Sequence, residues 1–150
     1  MNLSKSLKVK NRLVGELVKL QEIAKRENSR RNDNVSKVDC GVVFNQIGET
    51  RAKLVTLKSA IVEASVGISL QLAELAELKT YINWLSSLPV REGEEKVAFG
   101  SAREPQTYIW TATINRENLD SLISNLQGYA NTLQDEIDEF NAKTQVNWEG

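Results

Sequence analysis

The sequence predicts a mainly α-helical protein: an antiparallel helical bundle, or coiled-coil hairpins, with a small β-hairpin inserted before the last helix. Four long segments carry apolar residues at steps of three and four, which is the spacing of one helix face. One shorter segment instead alternates aromatic and β-branched residues, as a strand does. None of these helices can bury its apolar face alone, so they must pack together. At 150 residues, we expect a single domain over residues 1–150.

The first helix is predicted over about residues 3–30. Lysine, arginine and glutamate separate its apolar positions, which include Leu3, Leu7, Val14, Leu17 and Ala24. The apolar spacing stops in residues 27–34, where five of the eight residues are Asn, Asp or Ser. Because such side chains bond to their own backbone in turns, this octet is a loop or a frayed helix end.

A second helix is predicted over about residues 39–66, with Asp39 as its N-cap, and a third over about residues 69–88 with Ser69 as its cap. Gly67 and Ser69 interrupt the apolar spacing only weakly. One long helix and two helices hinged near residues 65–69 are therefore both compatible with the pattern. The end of the third helix is firmer, because the residue before Pro89 avoids the helical conformation.

The β-hairpin is predicted over about residues 96–114. Tyr108, Trp110, Ala112 and Ile114 would share one face of its second strand, and residues 96–99 are the expected partner strand. Asn115 is then the N-cap of the last helix, which is predicted over about residues 116–142.

The near-neutral total charge, 19 Lys and Arg against 20 Asp and Glu, conceals two oppositely charged ends. Residues 1–31 hold nine basic and three acidic side chains, whereas residues 115–150 hold two basic and seven acidic ones. Complementary flanks of this kind indicate neighbouring helices, in one subunit or across a homo-oligomer. We therefore expect self-association through the first and last helices, with a candidate interface formed by Leu7, Val14, Leu17, Leu126, Leu133 and Ile137.

The basic end of the first helix offers an alternative partner, a nucleic acid. Its phosphates would be contacted by Lys25, Arg26, Arg30 and Arg31, because a guanidinium group matches the geometry of a phosphate. The slightly negative net charge and the lack of a nucleic-acid-binding signature make this the second choice.

The composition also excludes several kinds of chemistry. A chain without histidine has no Ser-His or Cys-His catalytic arrangement and no imidazole metal ligand. Its one cysteine, Cys40, cannot form an internal disulfide, so nothing indicates an oxidising compartment. Carboxylate pairs such as Glu74 and Glu77 lack the turn glycine of a calcium loop and are expected to face solvent. We expect a non-enzymatic protein with no cofactor and no metal ion.

Charged residues interrupt every segment that could act as a signal peptide or a membrane span. Lys5, Lys8 and Lys10 lie in the N-terminal segment, and Glu74, Glu77 and Lys79 lie in residues 65–88. We therefore expect a cytoplasmic protein that does not bind a membrane.

Three segments of the sequence are considered together: residues 109–115 (Ile-Trp-Thr-Ala-Thr-Ile-Asn), residues 133–141 at the end of the last helix, and residues 146–148 (Val-Asn-Trp). With these segments the chain resembles a family of small uncharacterised bacterial proteins labelled septicolysin-like. The resemblance extends over most of the chain, including the basic first helix and the central helical pair. The family label implies a cytolysin, but a pore-former needs a segment that spans or lines a bilayer, and this sequence offers none. We do not expect pore formation.

Overall fold

The structure, a computed structural model, describes residues 1–98, 100 and 104–150. In these residues four α-helices and one antiparallel two-stranded sheet follow one another along the chain. The elements are α1 (Leu3–Glu27), α2 (Cys40–Ala64), a 3-10 turn (Val66–Ile68), α3 (Ser69–Ser86), β1 (Gly93–Val97), β2 (Gln106–Trp110) and α4 (Arg116–Lys143). The predicted fold class, mainly helical with a β-hairpin before the last helix, is confirmed.

The helix ends follow local chemistry. Asp39 caps α2, its carboxylate accepting hydrogen bonds from the backbone N–H groups of Gly41 and Val42. Asn115 caps α4 through a 2.9 Å hydrogen bond from the N–H of Asn118. The first helix ends at Glu27, three residues before its predicted end, where the run rich in Asn and Ser begins.

The central helical region is broken, which decides between the two alternatives that the sequence left open. α2 ends at Ala64, the 3-10 turn follows, and α3 begins at Ser69. The hydroxyl of Ser65 donates to the carbonyl of Ile61, and that of Ser69 donates to the carbonyl of Val66. Ser69 therefore bonds backwards into the turn, and the expectation that it caps the third helix is wrong.

The hairpin is shifted towards the N-terminus relative to its predicted range. β1 pairs with β2 in a register that places Glu95 opposite Tyr108 and Gly93 opposite Trp110. Residues 111–114 lie outside the strand, and Phe99, predicted in the partner strand, lies outside the described residues. The shift has a physical reason: the residues of β1 are largely exposed, so its charged residues fit a strand as well as apolar ones would.

The contacts divide the chain into two compact units, of which the first comprises Met1–Ser69 and Ile137–Gly150. In this unit α1 packs against α2 with the chain direction reversed, and the start of α1 meets the end of α2. The tail after α4 completes the packing: the N–H of Leu3 donates to the carbonyl of Thr144, and the N–H of Val146 donates to the carbonyl of Met1, both at 2.8 Å. The buried cluster of this unit is formed by Leu3, Leu13, Leu54, Leu57, Ile61 and Val146.

The second unit, Leu70–Glu136, contains most of α3, the hairpin and the larger part of α4. Its buried apolar side chains lie on the two helices and are Leu75, Leu85, Leu119, Ala130 and Leu133. The hydroxyl of Tyr129 on α4 donates to the carboxylate of Glu74 on α3 at 3.2 Å, which raises the pKa of Tyr129 because a negative charge lies beside the phenol.

Candidate functional site

Most of the side chains expected at an oligomer interface are buried in, or packed against, the core of the same chain. Leu133 and Ile137 are buried, and Leu7 and Leu17 pack against the buried cluster of the first unit. Leu126 is partly buried, and only Val14 counts as exposed, at 39%. A second copy of the chain would therefore meet other apolar side chains first.

The apolar surface that sequence reasoning missed lies on α2. We define the α2 stripe as Phe44, Gly48, Ala52, Val55, Ser59 and Val62, all of which are exposed. Phe44 is 51% exposed, Val55 60% and Val62 68%. The six positions are three or four residues apart, so at 3.6 residues per turn they share a sector of about 80°. Val66, 70% exposed, extends the stripe into the 3-10 turn.

The stripe escapes notice in the sequence because α2 has apolar residues on two faces. Its other apolar face, with Val43, Leu54, Leu57 and Ile61 buried, packs inside the chain. When a single amphipathic face is sought in the sequence, these bulky residues define it, and Val55 and Val62 are left outside it. The sequence does contain a sign of this second face: none of the six positions of the α2 stripe, each three or four residues from the next, carries a charged residue.

Exposed charged side chains flank the α2 stripe, with opposite signs on its two sides. Arg51 and Lys58 follow one side, and Glu49 and Glu63 follow the other. Among the described residues, none of these four side chains takes part in an ion pair within 4.0 Å. Their charges are available to a neighbouring molecule.

The predicted phosphate contacts lie at the end of α1 and in the loop that follows it, and the structure divides them. Arg26 and Arg30 line a surface cavity of about 400 Å³ together with Lys37, a cation that the sequence analysis did not select. Arg31 is instead paired with Asp33. Lys25 is exposed and is not among the residues that line this cavity.

Glu27 fixes the geometry of this cavity. Its carboxylate accepts a 2.8 Å hydrogen bond from the hydroxyl of Ser36 and lies 3.3 Å from the guanidinium of Arg26. The Ser36 hydrogen bond, with that of Arg26, lowers the pKa of Glu27 below its ordinary value of 4.5. Glu27 is therefore ionised at neutral pH and offsets part of the positive charge that surrounds it.

The hairpin carries the third notable surface. Trp110 donates from its ring N–H to Glu95, and the guanidinium of Arg91 lies 4.8 Å from the centre of the Trp110 ring. Arg91 and Glu95 form an ion pair at 3.4 Å. Every residue of β2 is exposed, and Ile109 is exposed by 76%.

In residues 1–98, 100 and 104–150, no group of three or more His, Cys, Asp or Glu side chains is placed to hold a metal ion. Within the same ranges, no single helix has both the length and the apolar composition to cross a membrane. Only α2 and α3 taken together, across the bend between them, have that length and composition.

The chain matches no known protein family, no curated protein and no solved structure.

Proposed function

We propose that this chain is a non-enzymatic helical assembly protein that binds a second copy of itself through the α2 stripe. The carrying observation is that α2, already packed against α1 on one face, presents a second uncharged face to solvent along nearly its whole length. A helix that belongs only to a monomer ordinarily places charged and polar residues on such a face. Contiguous exposed apolar surface marks an interaction site in a folded protein.

The pattern of residues in the stripe also supports a helix as the partner. Gly48, Ala52 and Ser59 have small side chains, so a second helix can approach closely between them. Phe44, Val55 and Val62 supply the apolar area that the contact would bury. Bulky positions separated by small ones in this way allow two helices to interdigitate.

The flanking charges favour two parallel copies of α2. In a parallel pair, the basic flank of one helix faces the acidic flank of the other. A residue on the basic flank then lies nearest to the residue five positions further along the partner helix. Lys58 and Glu63 have that separation, so one dimer would contain two attractive contacts, each between Lys58 of one copy and Glu63 of the other. An antiparallel pair would instead bring basic flank to basic flank, with Arg51 near Lys58, and acidic flank to acidic flank.

Sedimentation of the full chain over a range of concentrations tests the proposal. We expect a reversible dimer that dissociates on dilution, and much weaker association when Val55→Glu and Val62→Glu are combined, because the α2 contact would have to bury their carboxylates without a partner. Val18→Glu is the matched control, since Val18 is a half-exposed valine on α1. A wild-type monomer at tens of micromolar, unchanged on dilution, would eliminate the proposed function.

A charge swap tests the orientation separately. Lys58→Glu and Glu63→Lys should each weaken the dimer, and the double variant should restore it, because the attractive pair is re-formed with its signs exchanged. A double variant that stays as weak as the two single ones would exclude the parallel arrangement.

The cavity beside the end of α1 supports a second candidate function, the binding of a nucleic acid. Arg26, Arg30 and Lys37 line it together, and arginine and lysine are the side chains that contact phosphate most often. Glu27 lies among them and opposes an anion, which is why this function ranks second.

Binding to mixed RNA and DNA at several salt concentrations tests this candidate. Affinity should fall as salt rises, and should fall further when Arg26, Arg30 and Lys37 are all replaced by alanine. Replacing the exposed Lys5, Lys8 and Lys19 by alanine removes the same charge elsewhere on α1 and serves as the control. Equal losses in the two triple variants would mean that the cavity has no part in binding.

A further inference from the structure

We propose a second contact between copies of this chain, in which the β2 strands of two molecules pair antiparallel and make one four-stranded sheet. The order of strands would be β1, β2, β2 of the second copy and β1 of the second copy. This inference requires the chain to meet a second copy, as the proposed function does. It uses a different surface, so either contact can fail without the other.

The first reason is that β2 has an unpaired edge. Its residues Gln106–Trp110 pair with β1 on one side, and no further strand of the described residues lies on the other. Apart from the pairing with β1, the backbone of residues 106–110 makes no hydrogen bond to the backbone of any other described residue. The N–H and C=O groups that point away from β1 are thus left for water or for another strand. A sheet of only two strands is marginal, and added strands stabilise it.

The second reason is the distribution of charge between the two strands. β1 contains Glu94, Glu95 and Lys96, whereas β2 (Gln-Thr-Tyr-Ile-Trp) contains no charged residue. Charged side chains protect an edge strand from pairing with other chains, and aromatic and β-branched residues are typical of central strands. The hairpin therefore has the composition of half of a four-stranded sheet, with β1 outermost and β2 at the centre.

The third reason is that β2 is complementary to itself. When two antiparallel copies are centred on Tyr108, all five residues overlap, with Thr107 opposite Ile109 and Gln106 opposite Trp110 of the second copy. No charges of like sign are brought together in that register. A pair of β1 strands centred on Glu95 would place two carboxylates opposite each other, which is destabilising.

Hydrogen exchange on the unmodified chain is the deciding experiment. The amides of residues 106–110 that point away from β1 should gain protection as protein concentration rises, because new inter-strand hydrogen bonds form. Amides of β1 that face solvent should gain none, since β1 stays at the edge. Protection of β2 that does not depend on concentration would overturn the inference.

Disulfide trapping, in chains that carry Cys40→Ser, tests the register. Tyr108→Cys should form a linked dimer, or Thr107→Cys mixed with Ile109→Cys should do so. One of these two pairs is a hydrogen-bonded pair of the antiparallel ladder and the other is a non-hydrogen-bonded pair, in which the side chains lie closer together. Lys96→Cys is the control, because residues 96 of the two copies would lie three strand spacings apart, about 14 Å. If both linkages, at residue 108 and between residues 107 and 109, are no faster than linkage at residue 96, the register is refuted.

The same trapping in the Val55→Glu, Val62→Glu background separates the two contacts. Linkage through β2 that persists there shows strand pairing without helix pairing. If linkage is lost there while the same cysteine variant with Val55 and Val62 intact is linked, β2 does not pair independently and the inference of a separate contact is wrong.

Discussion

Replacing Val146 by alanine tests whether the tail after α4 belongs to the core. Val146 is 3% exposed and packs in the buried cluster with Leu3 and Leu57. The substitution removes two buried carbon atoms at roughly 0.8 kcal/mol each. The cavity left behind adds to this loss, because the surroundings relax only in part, so we expect the free energy of unfolding to fall by about 2–3 kcal/mol.

Urea unfolding followed by circular dichroism and by tryptophan fluorescence measures this change. With a slope of about 2 kcal/mol per molar urea, the midpoint should fall by about 1 M or slightly more. Val18→Ala is the matched control: it is the same substitution at a half-exposed position of α1, and its effect should stay within about 0.5 kcal/mol. Equal effects of the two substitutions, or a loss below about 0.5 kcal/mol for Val146→Ala, would show that the tail does not contribute to the core.

Three further predictions concern α2, the cavity at the end of α1, and the 3-10 turn. Asp39→Ala removes the hydrogen bonds to the N–H groups of Gly41 and Val42, and should lower the free energy of unfolding in urea by about 1 kcal/mol. Ser36→Ala should raise the pKa of Glu27 towards 4.5, measured by NMR titration. Because the folded-state pKa of Glu27 is lowered, its contribution to stability is present above pH 4.5 and lost as pH falls through that lowered pKa, and a wild-type titration midpoint at 4.5 would contradict this. Gly67→Ala should destabilise by about 1–3 kcal/mol in thermal or urea unfolding, because its Cβ would lie 3.1 Å from Cε2 of Phe140. An unchanged midpoint would mean that the Phe140 ring moves aside freely.

Local rules predicted the helices well because their causes are local. Asp39 and Asn115 act as caps through side chains that reach only two or three residues along the chain. α3 ends at Ser86, two residues before its predicted end, and the limit that Pro89 places on the conformation of Leu88 is likewise local. The break between α2 and α3 was also visible in the sequence, as the interruption of the apolar spacing near Gly67. Whether the helix breaks there depends on the hydrogen bonds of Ser65 and Ser69, which the sequence does not reveal.

Features that depend on distant residues were not predictable in the same way. Val146 follows a helix and precedes a polar tail, and nothing in its neighbourhood marks it as a core residue. Its burial comes from contacts with the start of α1, more than 100 residues away. The α2 stripe was missed for the opposite reason, because a helix with two apolar faces does not reveal which face the chain itself covers.

The register of the hairpin shows a third limit. Composition identified β2, since four successive residues, 107–110, are β-branched or aromatic and the two kinds alternate. The partner β1 (Gly-Glu-Glu-Lys-Val) has no such pattern, so its position follows from its pairing with β2 rather than from its own residues. Of the predicted phosphate contacts, Arg26 and Arg30 line the cavity, while Lys37 joins them only because the loop folds back.

The division of the chain into units has a consequence for how the protein folds. Residues 70–136 are inserted, in the order of the chain, between the two parts of the first unit. The contacts of Leu3 with Thr144 and of Val146 with Met1 therefore close a loop of more than 140 residues. Residues 137–150 follow α1 and α2 by many positions, so these two helices are synthesised before their last apolar partners, and closure over such a separation is then slow. During synthesis on the ribosome, the pair must hold Leu3, Leu13 and Leu57 without Val146, and this interval is when the nascent chain is most open to aggregation.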